Sequence, residues 1–362
     1  MKKKKLDYLL FIAVIIISIF GIIMIYSASS IWATYKFNDA FKYVKHQSLF
    51  FFVGIFIMII ASKINLNFLK SKANLILLVC FILLAMVLIP GIGTVRNGSR
   101  SWFGIGGFGI QPSEFAKIGL IIYTAKYLEH NQKDMKDIKK GALPIFLIIG
   151  LFFILIMLEP DFGTAMVMAL TLVCLIFISG LKISFFIKLG IVGLLGIVGL
   201  IIAAPYRMAR IISFLNPWSD PLGSGYQIIQ SLYAIGPGGL LGQGFMGSRQ
   251  KHFYLPEPQT DFIFSIISEE FGFLGVIIVS SFFLFIFYRM IKIAMQASNL
   301  FSKYLAFGLA FGIFIQASLN LAVVVGLIPV TGVTLPFFSY GGSSLLVSML
   351  SIGLTLNVSK GN

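Results

Sequence analysis

The sequence predicts an all-α, polytopic membrane protein with about ten transmembrane helices, and two observations lead to this prediction. Hydrophobic residues make up 58% of the 362 residues and charged residues only 11%, whereas a soluble domain carries roughly a quarter charged residues. The mean hydropathy is +0.97, and the apolar residues gather in runs of about 20, which as helices cross the hydrocarbon core. This pattern excludes a soluble globular enzyme.

The apolar runs predict ten spans along the chain. They cover residues 8–30, 44–62, 73–90, 113–129, 142–158, 162–179, 184–204, 261–288, 303–325 and 340–358. Lys and Arg are about twice as frequent in the segments on the N-terminal side of the membrane as in those opposite, which predicts that both termini are cytoplasmic. The same topology accounts for the net charge of +15, so no nucleic-acid partner is expected. No attached soluble domain or fixed-period repeat is evident, and residues 1–362 are predicted to form a single domain.

Unusual polar residues concentrate in four segments on the predicted outer side. A large loop, residues 205–260, connects spans seven and eight, and a Gly-rich loop covers residues 91–112. A tight Glu-Pro-Asp turn lies at 159–161, and residues 329–344 are rich in hydroxyls and glycines. Long structured loops often carry function, so the functional site is predicted on this side.

Three carboxylates enter the eighth predicted span: Asp261, Glu269 and Glu270. Ionisable groups at membrane depth are costly and therefore mark functional sites. Asp261 is predicted at a helix N-terminus, where the dipole favours the carboxylate and an apolar surround favours the neutral acid, a balance that suits a general base. The alternatives are a capping role for Asp261 and buried, paired structural roles for the two glutamates.

Basic side chains on the same side are candidate ligands for an anionic substrate. Glu114 and Lys117 are three residues apart on span four, so they share a helix face, either as a structural ion pair or with Lys117 also facing a substrate anion. Arg100 lies in the 91–112 loop, predicted to be flexible, where a guanidinium can bind diphosphate oxygens or lipid headgroups. Arg249 and Lys251 are the basic residues nearest to Asp261 in sequence.

The chain has no phosphate-binding loop of the GxxxxGK[ST] type, so the substrate is expected to be activated already. A base, several cations and membrane-embedded walls suit a lipid-linked diphosphate donor, whose sugar is attacked by a deprotonated hydroxyl. A transporter of the same substrate fits composition equally well. No cofactor is indicated, because the two cysteines lie in apolar runs and the histidines are scattered; a requirement for a divalent cation stays open.

Five segments carry a resemblance to a known family. They are NGSRSWFGIGGFGIQPSEFAK (97–117), EPDFGTA (159–165), APYRMARIISFLNPWSDPLGSGYQIIQSLYAIGPGGLLGQG (204–244), SRQKHFYLPEPQTDFIFSIISEEFGFLG (248–275) and GLIPVTGVTLPFFSYGGSS (326–344). In this order they closely resemble the SEDS family of FtsW, RodA and SpoVE, most of all its FtsW/SpoVE branch, and the resemblance covers nearly the whole chain.

The resemblance implies a ten-span peptidoglycan glycosyltransferase that polymerises lipid II on the outer face of the cytoplasmic membrane. Its role would be in division, elongation or spore cortex synthesis, with a class B penicillin-binding protein as transpeptidase and other divisome, elongasome or sporulation membrane proteins as partners. It also implies that Asp261 is essential and that Glu114, Lys117 and Arg100 contribute. The alternatives are a lipid II flippase and a non-catalytic membrane scaffold.

One position departs from the pattern of the family. Many relatives have His immediately before the Thr of the TDFIF motif, whereas this chain has Gln259. A proton relay through an imidazole is therefore not expected here, and Asp261 would pass its proton to water or substrate.

Overall fold

The computed structural model describes residues 6–96, 98–105, 108–202 and 205–361. These residues form thirteen α-helices and one small sheet. The helices are α1 (Tyr8–Phe37), α2 (Lys42–Ala61), α3 (Leu66–Ser71), α4 (Ala73–Val87), α5 (Pro112–His130), α6 (Leu143–Leu158), α7 (Phe162–Phe177), α8 (Ile183–Ile202), α9 (Pro205–Leu215), α10 (Tyr226–Gly238), α11 (Ile263–Met295), α12 (Leu300–Val324) and α13 (Gly342–Ser359).

Each predicted span coincides with one of these helices. Six helical segments are long and apolar enough to cross a membrane, namely Tyr8–Phe37, Lys42–Ala61, Ile138–Leu158, Ile263–Met295, Leu300–Val324 and Gly342–Ser359. Shorter apolar helices cover Ala73–Val87, Phe162–Phe177 and Ile183–Gly196. The protein is therefore a helical, multi-pass membrane protein, and the count of ten spans stays a prediction.

Large apolar side chains cover the outside of the bundle. On α8, for example, Ile187, Ile191 and Leu194 are each more than half exposed. In water such a surface would drive association, but in a bilayer lipid tails contact it and the helices satisfy their own backbone hydrogen bonds. The exposed apolar surface thus agrees with membrane insertion.

The two ends of the bundle are distinct. At one end the backbone N–H of Asp7 donates to the Ser359 hydroxyl over 3.3 Å, and Arg289 forms an ion pair with the Asp7 carboxylate. Both ends of the described chain therefore lie together, and we call this the termini end. The basic run at residues 2–5 lies outside the described residues.

The opposite end carries an antiparallel sheet between α4 and α5, and we call it the sheet end. Its strands are β1 (Thr94–Arg96), β2 (Ser99–Ile105) and β3 (Phe108–Ile110), in the order β1-β2-β3. The prediction of a flexible loop here was wrong. The physical reason is that aromatic and β-branched residues alternate with turn-forming glycines, which favours paired strands.

Helix α12 is central to the core, where it packs against α5, α7, α11 and α13. Gly308 permits a close approach of α12 to α5, because a Cβ at this position would lie 2.5 Å from the Ile121 side chain of α5. Small residues commonly allow membrane helices to approach in this way. Helices α5 and α12 therefore pack closely at this point.

Helix α11 is broken at Gly272, whose φ of 60° lies in the left-handed region. The glycine-rich segment after α10 fills this break. The N–H groups of Phe273 and Leu274 donate to the carbonyls of Gly239 and Leu240, over 2.9 and 3.1 Å. Part of the predicted 205–260 loop is thus packed into the bundle, where the freed backbone groups of the broken helix need partners.

Candidate functional site

Asp261 lies at the sheet end, just before α11. The helix begins at Ile263 with Phe262 as its N-cap, so the interpretation of Asp261 as a capping residue is wrong. The Asp261 side chain is half-buried, and its Oδ1 accepts a hydrogen bond from the Thr260 hydroxyl over 3.0 Å. Its backbone carbonyl accepts from Asn320 Nδ2 over 2.7 Å. The backbone of Asp261 is therefore held by a side chain of α12.

The predicted pairing of Glu114 and Lys117 is present. Lys117 Nζ lies 2.9 Å from Glu114 Oε1, and both residues are buried. Lys117 Nζ also donates to Gln316 Oε1 over 2.8 Å. The ammonium group therefore has one charged and one neutral acceptor.

Helix α12 connects Asp261 to this ion pair. Gln316 contacts Lys117, and Asn320 contacts the Asp261 backbone. Residues four apart lie on the same face of a helix, separated by a rise of about 6 Å. The two amides thus bring the candidate base and the buried cation to one region. The sequence interpretation missed both, although two amides at this spacing in an apolar helix are a signal in themselves.

The hydroxyl-rich segment at 329–344 lines the same region. Gln316 Nε2 donates to the Thr334 carbonyl and to the Ser344 hydroxyl, each over 3.1 Å. Asn320 Nδ2 donates to the Val333 carbonyl over 2.7 Å. The Tyr340 N–H donates to the carbonyl of Gln259 over 2.8 Å. The segment therefore contacts α12 and the loop that bears Asp261.

The turn at 159–161 approaches from the other side. Asp161 Oδ2 accepts from Gln111 Nε2 over 2.7 Å, and its Oδ1 accepts from the Thr164 N–H at the start of α7. Glu114 and Lys117 both act electrostatically on Asp161. The neighbouring Glu159 is fully buried, and burial together with the charge of Asp161 raises its pKa to about 9. Glu159 is therefore protonated at neutral pH.

The hydrogen bonds described for the two predicted guanidinium ligands are made to other parts of the structure. Arg100 is on β2, half-buried, and its Nη1 is 3.4 Å from the Leu88 carbonyl at the end of α4. The Arg249 side chain is exposed, and its backbone N–H donates to Glu269 over 2.8 Å. Neither contact involves Asp261 or Lys117, so their roles at a substrate stay predictions.

Lys251 points into the protein. Its Nζ lies 3.0 Å from Glu270 Oε1 and 3.3 Å from the Ser27 hydroxyl of α1. Glu269 accepts from the Ser248 hydroxyl over 2.6 Å. These contacts favour structural roles for both glutamates. The Lys251 ammonium and the Glu270 carboxylate form an ion pair that is fully buried, and we call it the sealed pair. A contact between Lys251 and substrate stays a prediction.

A small cleft with a cavity volume of about 30 Å³ borders the Lys117 group, between α5, α7, α12 and α13. Its polar lining comes from Lys117, Gln316, Thr171, Ser348 and Ser351, set among apolar side chains. In the part of the chain that the structure describes, no group of three or more His, Cys, Asp or Glu residues could hold a metal ion. The chemistry that this region offers is the half-buried carboxylate of Asp261 and the buried ammonium of Lys117, beside a mixed polar and apolar cleft. The carboxylates of Glu114 and Asp161 act on that ammonium.

Comparison with known proteins gives the family. The FtsW/RodA/SpoVE family model, described as "Cell cycle protein", matches residues 7–362. The chain belongs to this family. It is 50% identical over 359 residues to stage V sporulation protein E of Bacillus subtilis (strain 168), covering 99% of this chain and 98% of that protein. It is 43% identical to the probable peptidoglycan glycosyltransferase FtsW of Geobacter sp. (strain M18), covering 98% of this chain and 96% of that protein.

Solved structures of the family share the fold. A chain from a peptidoglycan synthase complex, described as coordinating polymerization and crosslinking, superposes with a TM-score of 0.78 at 31% identity and covers 98% of this chain and 97% of that chain. The rod shape determining protein RodA of Thermus thermophilus has a TM-score of 0.73 at 28% identity, covering 98% and 96% respectively. This FtsW/RodA/SpoVE protein thus shares its architecture over essentially its full length.

Proposed function

We propose that this family member is a peptidoglycan glycosyltransferase that polymerises lipid II, a disaccharide-peptide carried on a polyprenyl diphosphate. Relatives named as probable peptidoglycan glycosyltransferases support the reaction class. The observation that carries the proposal is the placement of Asp261 and Lys117 at neighbouring positions along one face of α12, held by Asn320 and Gln316.

The chemistry needs one base and a cation. Asp261 accepts the proton of an acceptor sugar hydroxyl, and the oxygen attacks the anomeric carbon of the donor. The bond between that carbon and the diphosphate oxygen breaks, and the lipid diphosphate leaves with the bonding electrons. Lys117 stabilises the charge that develops on the leaving group, and such stabilisation is stronger where water is excluded.

Glu114 and Gln316 position Lys117 for this role. Both accept from its Nζ at hydrogen-bond distance, which limits the ammonium to one orientation. Arg100 and Arg249 would contact the diphosphate once the substrate is bound, because guanidinium groups match phosphate oxygens in geometry. No step is assigned to a metal ion.

The proposed site faces the outer side of the cytoplasmic membrane. The excess of Lys and Arg in the segments at the termini end supports this orientation. A class B penicillin-binding protein is the proposed partner, supported by the similar chain from a synthase complex described as coordinating polymerization and crosslinking. The process served is proposed to be division, elongation or spore cortex synthesis.

The test is polymerisation of purified lipid II by this protein, with a partner whose transpeptidase is inactive. We expect Asp261→Asn to reduce glycan formation by at least about 100-fold, since general bases contribute about 10²–10⁴-fold. The matched control is Asp39→Asn, because Asp39 is an exposed carboxylate between α1 and α2 that pairs with Lys45.

Two outcomes would contradict the proposal. If Asp261→Asn forms as much polymer as the unmodified protein, Asp261 is not the general base. If the unmodified protein forms no polymer, it does not catalyse the proposed reaction. Movement of labelled lipid II between the leaflets of sealed vesicles without any polymer would indicate a flippase instead.

A further inference from the structure

Aromatic rings extend from the Asp261 loop across the sheet end. The Tyr340 N–H is bonded to the carbonyl of Gln259, two residues before Asp261. The Tyr340 ring meets Tyr43 edge to face, with centroids 4.9 Å apart. The Tyr43 side chain interacts in turn with Trp32 near the end of α1. Consecutive contacts thus lead away from the candidate base.

The far part of this row is exposed at the surface of the protein. Trp32 stacks on Tyr35 at 6.2 Å, and Phe253 contacts both rings edge to face, at 5.7 and 5.4 Å. Tyr35 is 77% exposed and Phe253 is 52% exposed. Phe253 also has a φ of 65°, which is costly for a residue with a side chain and persists only where the surroundings hold it. The loop therefore holds this ring at the surface.

The position of Tyr35 along α1 places this ring past the usual depth of an interfacial aromatic belt. At 1.5 Å per residue, Tyr35 lies about 40 Å from Tyr8, the first residue of α1. The hydrocarbon core is about 30 Å thick, and aromatic belts lie at its headgroup boundary. With α1 entering the core at its first turn and running along the bilayer normal, Tyr35 lies about 10 Å past the far boundary of the hydrocarbon core.

We propose that Tyr340, Tyr43, Trp32, Tyr35 and Phe253 form an aromatic track that binds the sugar chain produced at the site. This inference rests on the proposed function, because it names the place of that reaction's product. Aromatic rings offer rigid apolar faces to the C–H faces of sugars, and tyrosine hydroxyls can bond sugar hydroxyls at low entropic cost.

Charges of both signs lie along the track: Glu257 acts electrostatically on Tyr43, and a lysine lies at the exposed end. Lys36 Nζ lies 5.2 Å from the centroid of the Trp32 ring, and the Lys36 side chain is exposed. The peptides on a peptidoglycan strand carry carboxylates, which this ammonium can attract. A strand held in this way stays near Asp261 between additions, so the track favours long products over early release.

Sugar binding tests the track without catalysis. The protein carrying Asp261→Asn is titrated with the β-1,4-linked tetramer of N-acetylglucosamine in lipid nanodiscs, and binding is followed by ligand-observed NMR. We expect the further double substitution Tyr35→Leu/Phe253→Leu, which keeps apolar bulk but removes both rings, to weaken binding about tenfold. The control Tyr233→Leu removes an exposed ring that pairs with Trp218 elsewhere in the outer loop, and it leaves binding unchanged.

Strand length gives the second readout. With lipid II as substrate, the Tyr35→Leu/Phe253→Leu protein is expected to make strands several-fold shorter than those of the parent and of Tyr233→Leu. The proposed track would be wrong if the Tyr35→Leu/Phe253→Leu protein and its parent bind the tetramer with equal affinity and have the same midpoint of thermal unfolding. Failure of the proposed function would appear separately, as no polymer from the unmodified protein.

Discussion

The protein has two buried ion pairs between lysine and glutamate, Lys251–Glu270 and Lys117–Glu114, and their surroundings differ. The side chains of Lys251 and Glu270 are 1% and 0% exposed, and those of Lys117 and Glu114 are 9% and 7% exposed. The first pair connects the segment between α10 and α11 to α11 itself and, through Ser27, to α1. The second pair borders the cleft between α5, α7, α12 and α13.

The difference indicates different roles. The Lys251–Glu270 pair joins three segments that are far apart in sequence, and a contact between Lys251 and substrate stays a prediction. The Lys117–Glu114 pair lies beside a cleft, and Lys117 also donates to the neutral amide of Gln316. Lys117 can exchange one of these two acceptors for an oxygen of the substrate. Burial of a lysine and a carboxylate therefore does not by itself identify a functional site, and access to a cleft makes the distinction.

The largest expected effect comes from breaking the sealed pair. Lys251→Met leaves the Glu270 carboxylate buried without its cation, which costs about 3–5 kcal/mol of unfolding free energy. The double substitution Lys251→Met/Glu270→Leu should recover most of this loss, because it removes both charges. Thermal unfolding in identical micelles measures the effect. An unchanged midpoint for Lys251→Met would contradict the structural role, and Lys45→Met at the exposed pair with Asp39 is the control.

Breaking the pair beside the cleft should affect the reaction more than folding. Lys117→Met is expected to lower glycan formation about 100-fold, equivalent to about 2.7 kcal/mol. Adding Glu114→Gln should restore stability without restoring activity, since the cation stays absent. Polymerisation rates and unfolding midpoints measured on the same samples separate the two effects. Recovery of activity in the double variant would show that Lys117 is only structural.

Glu159 extends the comparison to a buried carboxylate with a raised pKa. In the folded protein its pKa is about 9, against an ordinary value of 4.5. Between these values the folded state retains a proton that the unfolded state has lost, so stability falls as pH rises, by up to about 1.4 kcal/mol per pH unit. Glu159→Gln cannot ionise and should flatten the dependence of unfolding free energy on pH between 5 and 8.5.

Asp220→Asn is the control for this experiment. Hydrogen bonds from the Ser224 N–H and hydroxyl hold the pKa of Asp220 below its ordinary value, so it titrates below the measured range. Parallel stability curves for Glu159→Gln and the parent protein would show that Glu159 is ionised at neutral pH.

Local sequence patterns predicted much of the fold and part of the site. The helices follow from apolar runs, because a membrane span must be long, apolar and internally hydrogen-bonded. The Glu114–Lys117 pair follows from three-residue spacing on one helix. These features depend on residues that are near one another in the chain.

Other features depend on segments that meet only after folding. Whether Lys251 faces a substrate or Glu270 cannot be read from its distance to Asp261 in the chain, since its partners lie on α1 and α11. The break at Gly272 becomes tolerable because residues 239–244 supply its backbone partners. Gln316 and Asn320 gain their importance from Lys117 and Asp261, which belong to other elements.

The sequence by itself determined a membrane-embedded helical protein, its family motifs and the residue types available for the chemistry. Hydrophobic run length, charge distribution and short-range spacing carry this information along the chain. Only the tertiary structure decided which lysine is sealed and which borders a cleft, because burial and hydrogen-bond partners are set by packing between distant segments. It also placed Asp261 before α11 rather than within it, with its backbone held by an amide of α12.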